Sequence, residues 1–293
     1  CLLMKVLKKL IRPFLWGGGP VPTALAAATY LGSSTTILDT LGDDWKSNLI
    51  IEELRDHGVQ CENIIIEPGS SASLASVLVR SSDGARAIRF VRSSTKAINP
   101  ESLEDNIINN HRIIHCNGRH LDACIQAAEI AKKYKEETLL SFDGGAGRYR
   151  KELLPLMERI NIAIVAKDFA LKATNETKLN QSTWIKLNQL FPKAHIIGIT
   201  DGHRGSWIQY ENQEPFHQPA FLATNIEDTT GCGDVYHGTF LHAIESGTSV
   251  NEAARMASGA GSMNATALGG RGLLPNKEQL NKFLNKAKEI QSS

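Results

Sequence analysis

The residue types best suited to chemistry stand in one short segment, Asp228-Thr229-Thr230-Gly231-Cys232-Gly233-Asp234, between an extended run and a helical pattern. Glycines at a strand-to-helix turn let the backbone approach a ligand closely. The first N–H groups of a helix lack partners within it and lie at the positive end of its dipole, which suits a phosphate. Asp234, at the start of this helix, can either cap it or take a proton from a substrate hydroxyl.

Cys232 supports a different interpretation of the same segment. A thiol at a helix N-terminus can be reactive, and with a histidine base such as His237 it would be a hydrolase nucleophile. The simpler interpretation is a small residue that contributes its backbone N–H to the turn. The sequence has neither GxxxxGK[ST] nor GxGxxG after a strand, which argues against a P-loop or a Rossmann dinucleotide site.

A second group of reactive side chains falls within residues 111–124. Histidine and cysteine side chains are common zinc ligands. Their spacing here fits no common zinc motif, and they run from a predicted strand into a predicted helix. A metal site is therefore the weaker interpretation. The group comprises His111, His115, Cys116, His120 and Cys124.

Composition narrows the class of protein. The chain has 293 residues, 42% hydrophobic and 22% charged, with a net charge of +1, which excludes a disordered or collagen-like chain. The charge balance argues against a nucleic-acid partner. Five cysteines without a CxxC motif indicate a reducing cytoplasm, and no apolar run approaches the ~20 residues of a membrane span. Residues 1–16 have the pattern of a cationic amphipathic helix, which suits a membrane surface, a terminal helix packed on the domain, or a segment foreign to the fold.

Predicted strands and helices, which must position these residues, alternate along the chain. This alternation predicts an α/β domain with a mostly parallel sheet between two helical layers, with an added hairpin at about residues 75–92. Strands are predicted at 35–38, 63–66, 112–116, 138–142, 160–166, 195–200, 207–210 and 223–226. Helices are predicted at 23–31, 44–57 and 121–134, followed by two that end near Gly247 and Leu268.

The exact sequence of residues 228–234 says more about function than the general chemistry of a glycine turn before a helix. It resembles the DTxGAGD motif of the ribokinase/PfkB-like carbohydrate kinases, with Cys232 in place of alanine. Further matches follow in the family's order over about residues 17–285. The resemblance implies a ribokinase-like three-layer αβα sandwich with a small β lid, in residues 17–293, after an atypical segment of residues 1–16. The other matching segments are Gly17-Gly18-Gly19-Pro20, Gly42-Asp43-Asp44, Thr200-Asp201-Gly202-His203-Arg204-Gly205 and Gly269-Gly270-Arg271-Gly272 with Pro275. Residues 217–221 and 234–238 are most similar to the sulfofructose kinase and ketohexokinase-like branch.

The resemblance implies ATP-dependent phosphorylation of a sugar hydroxyl. Asp234 would be the general base, and the backbone amides of Gly231, Cys232 and Gly233 would form the anion hole. Mg²⁺ would bridge the phosphates, with a monovalent cation as a further option. The nucleotide would lie near Thr200, Gly202, Gly205, Gly259 and Asn264. The sugar would lie near Gly18, Gly19, Arg119 and Asp234.

Several positions depart from the family pattern. The strand and substrate-binding aspartate that usually precede the glycine motif have no counterpart before Gly17, and Thr23 replaces a sugar-binding asparagine. The family's asparagine-x-x-glutamate motif is absent, so Asp143 or Asp168 would supply a carboxylate near Mg²⁺. These departures leave a truncated or non-catalytic nucleotide- or sugar-binding protein as the alternative. The resemblance also admits a homodimer through the lid strands.

Overall fold

The computed structural model describes residues 15–80, 86–133, 138–211 and 213–290. The strands are β1 (Asp39–Gly42), β2 (Ile64–Glu67), β3 (Leu74–Val79), β4 (Arg86–Val91), β5 (Ile113–Cys116), β6 (Leu139–Gly144), β7 (Ile162–Ala166), β8 (Ile196–Thr200), β9 (Ser206–Tyr210) and β10 (Phe216–Gln218). The helices are α1 (Pro20–Leu31), α2 (Trp45–Asp56), α3 (Asp105–Asn109), α4 (Leu121–Lys133), α5 (Leu154–Met157), α6 (Lys167–Thr174), α7 (Gln181–Leu190), α8 (Cys232–Glu245), α9 (Val250–Asn264) and α10 (Lys277–Leu284).

The main sheet contains six strands in the order β10-β9-β8-β7-β6-β5. Strands β5 to β8 pair in parallel, whereas β9 and β10 add to the edge as antiparallel strands. The central strands are continuous apolar runs, as in β7 with the sequence IAIVA, because helices cover both faces. Phe142, Phe169 and Leu187 pack on one face, and Ile164 and Phe240 pack on the other. The predicted α/β alternation is therefore confirmed.

A second, smaller sheet consists of the parallel pair β1 and β2. A groove of about 1120 Å³ is lined by Thr36 and Leu38 before β1 and by β5 of the main sheet. Side chains span it: Nε2 of His111 lies 3.1 Å from Oγ1 of Thr36, and Nε2 of His120 lies 2.7 Å from Oδ1 of Asp39. Within the described residues, the two sheets are joined here by side chains and not by a shared ladder of backbone hydrogen bonds.

The predicted hairpin is present as β3 and β4, which pair antiparallel with Leu74 opposite Val91. Its turn at Asp83-Gly84 lies outside the described residues. Several apolar side chains of the hairpin are solvent-exposed, including Leu78 at 62% and Phe90 at 63%. The hairpin is thus a small sheet that stands away from the main core.

Some predicted elements differ in the structure. The strand predicted at 35–38 forms only an isolated bridge at Thr36, and the regular strand β1 starts at Asp39. The strand predicted at 223–226 is wrong, because this segment is irregular, and β10 at Phe216–Gln218 was missed. Of the helical pattern in residues 1–16, residues 1–14 lie outside the described residues, and residues 15–16 are not helical. No described helix is both long enough and apolar enough to cross a membrane.

Candidate active site

The glycine-rich loop leads directly into α8, whose first turn carries Asp234. Gly231 precedes the helix with a φ of 75°, and its carbonyl accepts the N–H of Val235 at 2.8 Å. A side chain at Gly231 would collide with the backbone of Gly270, so glycine is required there by conformation and by space. A Cβ on Gly233, in contrast, would meet no atom within 4 Å. Gly233 in the first turn of α8 therefore faces open space.

Two buried side chains hold this loop in shape. Asp228, 3% exposed, accepts the N–H of Thr230 at 2.8 Å and the N–H of Gly269 at 3.0 Å. Asn264 donates from Nδ2 to the carbonyl of Thr230 at 3.1 Å and accepts the N–H of Leu273 at 3.1 Å. Together they join the loop before α8 to the loop at residues 269–273.

Asn264 and Gly259 were predicted to lie near the nucleotide, and the structure gives both a packing role. Asn264 is fully buried and its side-chain amide is used by the loop backbone, which argues against direct contact with a ligand. Gly259 is buried where α9 meets α10, and a Cβ there would lie 2.6 Å from Cδ2 of Leu284. Their place near the nucleotide stays a prediction, because chain order does not say which face of a helix is packed.

The predicted nucleotide turn follows β8, which ends at Thr200. Gly202 begins a short 3₁₀ helix that ends at Arg204, and the N–H of Asp201 donates to the carbonyl of Gly205 at 2.8 Å. Oδ2 of Asp201 lies 2.9 Å from Nζ of Lys167 and 2.7 Å from Nε of Arg204. Asp201 is therefore held between two cations, which lower the pKa of its carboxyl although burial opposes this.

The nucleotide turn lies beside the start of α8. Ser206 pairs with Thr200 in the sheet, at the carboxyl end of β8. Its hydroxyl is 2.9 Å from the hydroxyl of Tyr236, two residues after Asp234. Burial raises the pKa of Tyr236 well above its usual range, so it remains a neutral hydrogen-bonding group. The two loops predicted to hold ATP thus meet at one edge of the sheet, as ligand sites in α/β folds do.

One of the predicted sugar glycines, Gly18, lies against Arg271, a residue with no role assigned from the sequence. Its Nη2 donates to the carbonyl of Gly18 at 3.0 Å, and its Nε donates to Oγ1 of Thr23 at 3.2 Å. Its Nη1 lies 3.0 Å from Oε1 of Glu53 on α2. Gly19 caps the start of α1 with a φ of 93°. The only sequence signal for Arg271 was a charged residue inside a glycine-rich loop.

Arg119 follows β5 and precedes His120, which lines the groove. Its guanidinium is 42% exposed, with Nη1 at 3.3 Å from Oδ2 of Asp39. Nη2 donates to the carbonyl of Thr40 at 3.4 Å. Asp39 also contacts His120. The sequence analysis did not name Asp39 as a site residue, because it directly follows a predicted strand. Arg119 is thus placed beside β1, which leads into the turn at Gly42-Asp43-Asp44, with its charge partly open to solvent.

The two predicted metal carboxylates have protein partners. Asp143 is 4% exposed, and its Oδ1 lies 3.4 Å from Nε2 of His237. Burial opposes ionisation of Asp143, but His237 outweighs it and lowers the pKa. This enclosure argues against Asp143 as a direct metal ligand. Asp168 accepts the N–H of Gly147 at 2.7 Å and lies 3.2 Å from Nζ of Lys172, at the surface.

The hydrolase and zinc interpretations find no support in these contacts. His237 faces Asp143, and it lies five residues beyond Cys232, which places it on another face of α8. His115 hydrogen-bonds Ser141, whereas His120 contacts Asp39, so the candidate zinc ligands point to different partners. Across residues 15–80, 86–133, 138–211 and 213–290, no three metal-ligating side chains are grouped to hold an ion.

A mostly parallel sheet between helical layers, a separate small β lid and a glycine-rich loop opening a helix define the ribokinase-like class of α/β proteins. Residues 15–277 match the pfkB family carbohydrate kinase model. The chain belongs to this family, and it is a phosphotransferase of the sugar kinase type.

Curated relatives agree with this assignment, and solved structures agree with the fold. The chain is 26% identical over 287 residues to a ribokinase of Arabidopsis thaliana, covering 91% of this chain and 72% of that one. It is 26% identical over 283 residues to a fructokinase of Solanum tuberosum, covering 90% and 84%. The Arabidopsis thaliana ribokinase structure with ribose and ATP has a TM-score of 0.78 at 22% identity, covering 91% and 87%. An adenosine kinase structure from Sinorhizobium meliloti has a TM-score of 0.79 at 21% identity, covering 97% and 87%.

Proposed function

We propose that this chain transfers the γ-phosphoryl group of ATP to a hydroxyl of a sugar. Asp234 is the general base in this proposal. The anion site consists of the backbone N–H groups of Gly231, Cys232 and Gly233. The observation that carries the proposal is the first turn of α8, where the Asp234 carboxylate, a helix N-terminus with no side-chain cap and the open space at Gly233 lie together.

The chemistry follows from this arrangement. The Asp234 carboxylate takes the proton of the sugar hydroxyl while the oxygen forms a bond to the γ-phosphorus. The bond between that phosphorus and the ADP oxygen breaks, and ADP leaves with the electron pair. Negative charge builds on the transferring group, and the N-terminus of α8 stabilises it. Phosphoryl transfer needs this kind of positioning more than covalent help from the protein.

The nucleotide fits the loops on either side of α8. The open space before Gly233 accommodates a phosphate, and the turn from Thr200 to Gly205 lies at the same edge of the sheet. Mg²⁺ would be held through phosphate oxygens and water, because Asp143 is enclosed and Asp168 is already hydrogen-bonded. When bound, the ion neutralises phosphate charge. A monovalent cation, and Asp168 as a ligand through water, stay predictions.

The sugar would lie between α8 and the segments at Gly18, Gly19 and Arg119. A Cβ at Gly18 would meet no atom within 4 Å, so this backbone can face a substrate. The exposed charge of Arg119 suits a hydroxyl-rich or anionic substituent. A homodimer through the hairpin of β3 and β4 is supported by its exposed apolar side chains. A cytoplasmic location stays a prediction.

The deciding experiment measures ADP release from ATP and Mg²⁺ with hexoses, ketoses, pentoses, nucleosides and sulfonated sugars. Asp234→Asn should lower kcat by about 10³-fold with ATP affinity unchanged, since it removes the base alone. Glu227→Gln is the matched control, because Glu227 is an exposed acid of the same segment.

Turnover of one sugar that is lost in Asp234→Asn and kept in Glu227→Gln would support the kinase. ATP binding by calorimetry without turnover of any sugar would favour the non-catalytic alternative. Equal turnover by the wild type and Asp234→Asn would refute the proposed base.

A further inference from the structure

The carboxyl edge of the main sheet carries both ends of the proposed active site in a fixed order. Arg119, beside the proposed sugar position, follows β5, and the nucleotide turn joins β8 to β9. Strands β6 and β7 lie between these two places, because the sheet runs in the order β9-β8-β7-β6-β5. A phosphate that passes from the nucleotide to the sugar is therefore expected above the ends of β6 and β7.

Helix α8 is held over the same strands. The hydroxyl of Tyr236 lies 2.9 Å from that of Ser206 on β9, and the next residue, His237, lies 3.4 Å from Asp143 on β6. Further along the helix, Phe240 packs in one core cluster with side chains of β7. The helix therefore straddles β7 and β8 and starts at their carboxyl ends, which places the positive end of its dipole there.

Lys167 directly follows β7 and begins α6. Its Nζ donates to Oδ2 of Asp201, the residue after β8, at 2.9 Å. The side chain of Lys167 is 32% exposed, whereas that of Asp201 is 12% exposed. An ammonium group has three protons to donate, and among the described residues Asp201 is its one acceptor. Lys167 thus keeps donors for a ligand while its nitrogen is held in place.

The second cation on Asp201 is bound differently. Arg204 donates from Nε to Oδ2 at 2.7 Å and from Nη2 to Oδ1 at 3.0 Å, so its fork is engaged by one carboxylate. A Cβ on Gly202, in the same turn, would meet no atom within 4 Å. Arg204 therefore braces a turn that leaves room for a ligand, whereas Lys167 reaches this turn from the neighbouring strand.

We propose that Lys167 binds the terminal phosphates of ATP and that Asp201 is the positioning residue that holds it there. The inference rests on the proposed function and adds a binding residue to the same site. One proton of Nζ stays on Asp201, and another is donated to an oxygen of the β- or γ-phosphate. The lysine charge adds to the positive end of α8 and stabilises the negative charge of the transferring group. The adenosine part lies toward β9 and does not contact Lys167.

The test compares four ligands, ATP, ADP, AMP and adenosine, by calorimetry in the presence of Mg²⁺ and without sugar. Lys167→Met should weaken ATP binding by about 10- to 100-fold and ADP binding by less, whereas AMP and adenosine should change by less than about twofold. A merely structural role would weaken all four ligands alike. In steady-state kinetics, the KM for ATP should rise while the KM for the sugar stays the same.

Three variants serve as comparisons. Lys172→Met removes an exposed lysine of the same helix, and Arg148→Met removes an exposed cation of the loop after β6, so both should bind the four ligands as the wild type does. Arg204→Met loosens the turn and should weaken all four by similar factors. A loss that grows with the number of phosphates in Arg148→Met or Arg204→Met, but not in Lys167→Met, would assign the contact elsewhere and overturn the inference.

The outcomes separate the two proposals. If the wild type binds ATP but phosphorylates no sugar, the proposed function fails, whereas the four affinities still decide the role of Lys167. If turnover depends on Asp234 but Lys167→Met binds all four ligands normally or all equally weakly, the kinase stands and the inference is wrong. A wild type that binds none of the four ligands would refute both. If Lys167→Met does not fold, Lys167→Gln, which also lacks the charge, is expected to show the same pattern and decides in its place.

Discussion

The two ends of the proposed active site are built in different ways. The phosphate end comprises the loop at residues 228–234 and the loop at 269–273, which Asp228 and Asn264 join through buried hydrogen bonds. The sugar end comprises residues 17–19, β1 and Arg119. There the contacts include an exposed ion pair at 3.3 Å between Arg119 and Asp39, beside an open groove.

This difference matches the demands of the proposed reaction. Phosphoryl transfer requires fixed donors, because a transition-state charge is stabilised only by groups that need no rearrangement. Sugars differ in shape, so the end that contacts them gains from side chains that can move. The lid and the small sheet are linked to the main core mostly by side chains, and such regions open at low cost in free energy.

Among the tests that compare the two ends, the largest expected effect is at the phosphate end, at the two glycines on either side of Cys232. Gly233→Ala places a methyl group in open space, so stability should be unchanged while kcat falls about 100-fold because the methyl occupies the phosphate position. Gly231→Ala forces a left-handed conformation and a backbone collision, which should lower the free energy of unfolding by about 3 kcal/mol. Urea unfolding and steady-state kinetics measure both. Loss of stability in Gly233→Ala would show that this space is not open.

A second test removes the side chain of Asn264, which joins the two loops of the phosphate end. Asn264→Ala leaves the carbonyl of Thr230 and the N–H of Leu273 without their partner, which should cost about 2–3 kcal/mol of unfolding free energy. Asn251→Ala, on the exposed start of the same helix, is the control and should change it by less than about 0.5 kcal/mol. Equal effects in the two variants would mean that the loops are held by other contacts.

A third test concerns the groove between the two sheets, which His115 lines. Burial lowers the pKa of His115 to about 3, so the folded protein keeps this ring neutral while the unfolded chain binds a proton below about pH 6.5. Stability should therefore fall by about 2 kcal/mol between pH 7 and pH 5. In urea unfolding, His115→Gln should remove most of this decrease in the free energy of unfolding. His203→Gln, at an exposed histidine, should keep it. The same pH dependence in both variants would assign the effect to other groups.

The smallest expected effect on stability tests the sugar end. Arg119→Ala breaks an exposed ion pair and should change the unfolding free energy by less than about 1 kcal/mol. The KM for the sugar should rise about tenfold while the KM for ATP is unchanged, because the side chain is proposed to contact only the sugar. Arg112→Ala removes a comparable surface pair with Glu245 and serves as the control. An unchanged KM for the sugar in Arg119→Ala would mean that the sugar does not contact Arg119.

Local sequence was a good guide where a structure is set by neighbouring residues. The helix predicted at 44–57 is observed from Trp45 to Asp56, and Asp44 caps its start, because a cap acts within one turn. The hairpin was found for the same reason, since alternation and a turn dipeptide are local signals. The segment 223–226 was misassigned because β-branched and apolar residues form a strand only when another strand lies beside them.

The sequence by itself determined the α/β alternation, the family and the glycine-rich loop with Asp234, because these depend on short patterns and on residue order. The tertiary structure alone decided which groups meet. It enclosed Asp143 against His237, assigned Asn264 to the loop backbone, and placed Arg271 between Gly18, Thr23 and Glu53. The hydrogen bond between Arg271 and Gly18 joins residues that are 253 positions apart in the chain. No local sequence pattern encodes such a contact.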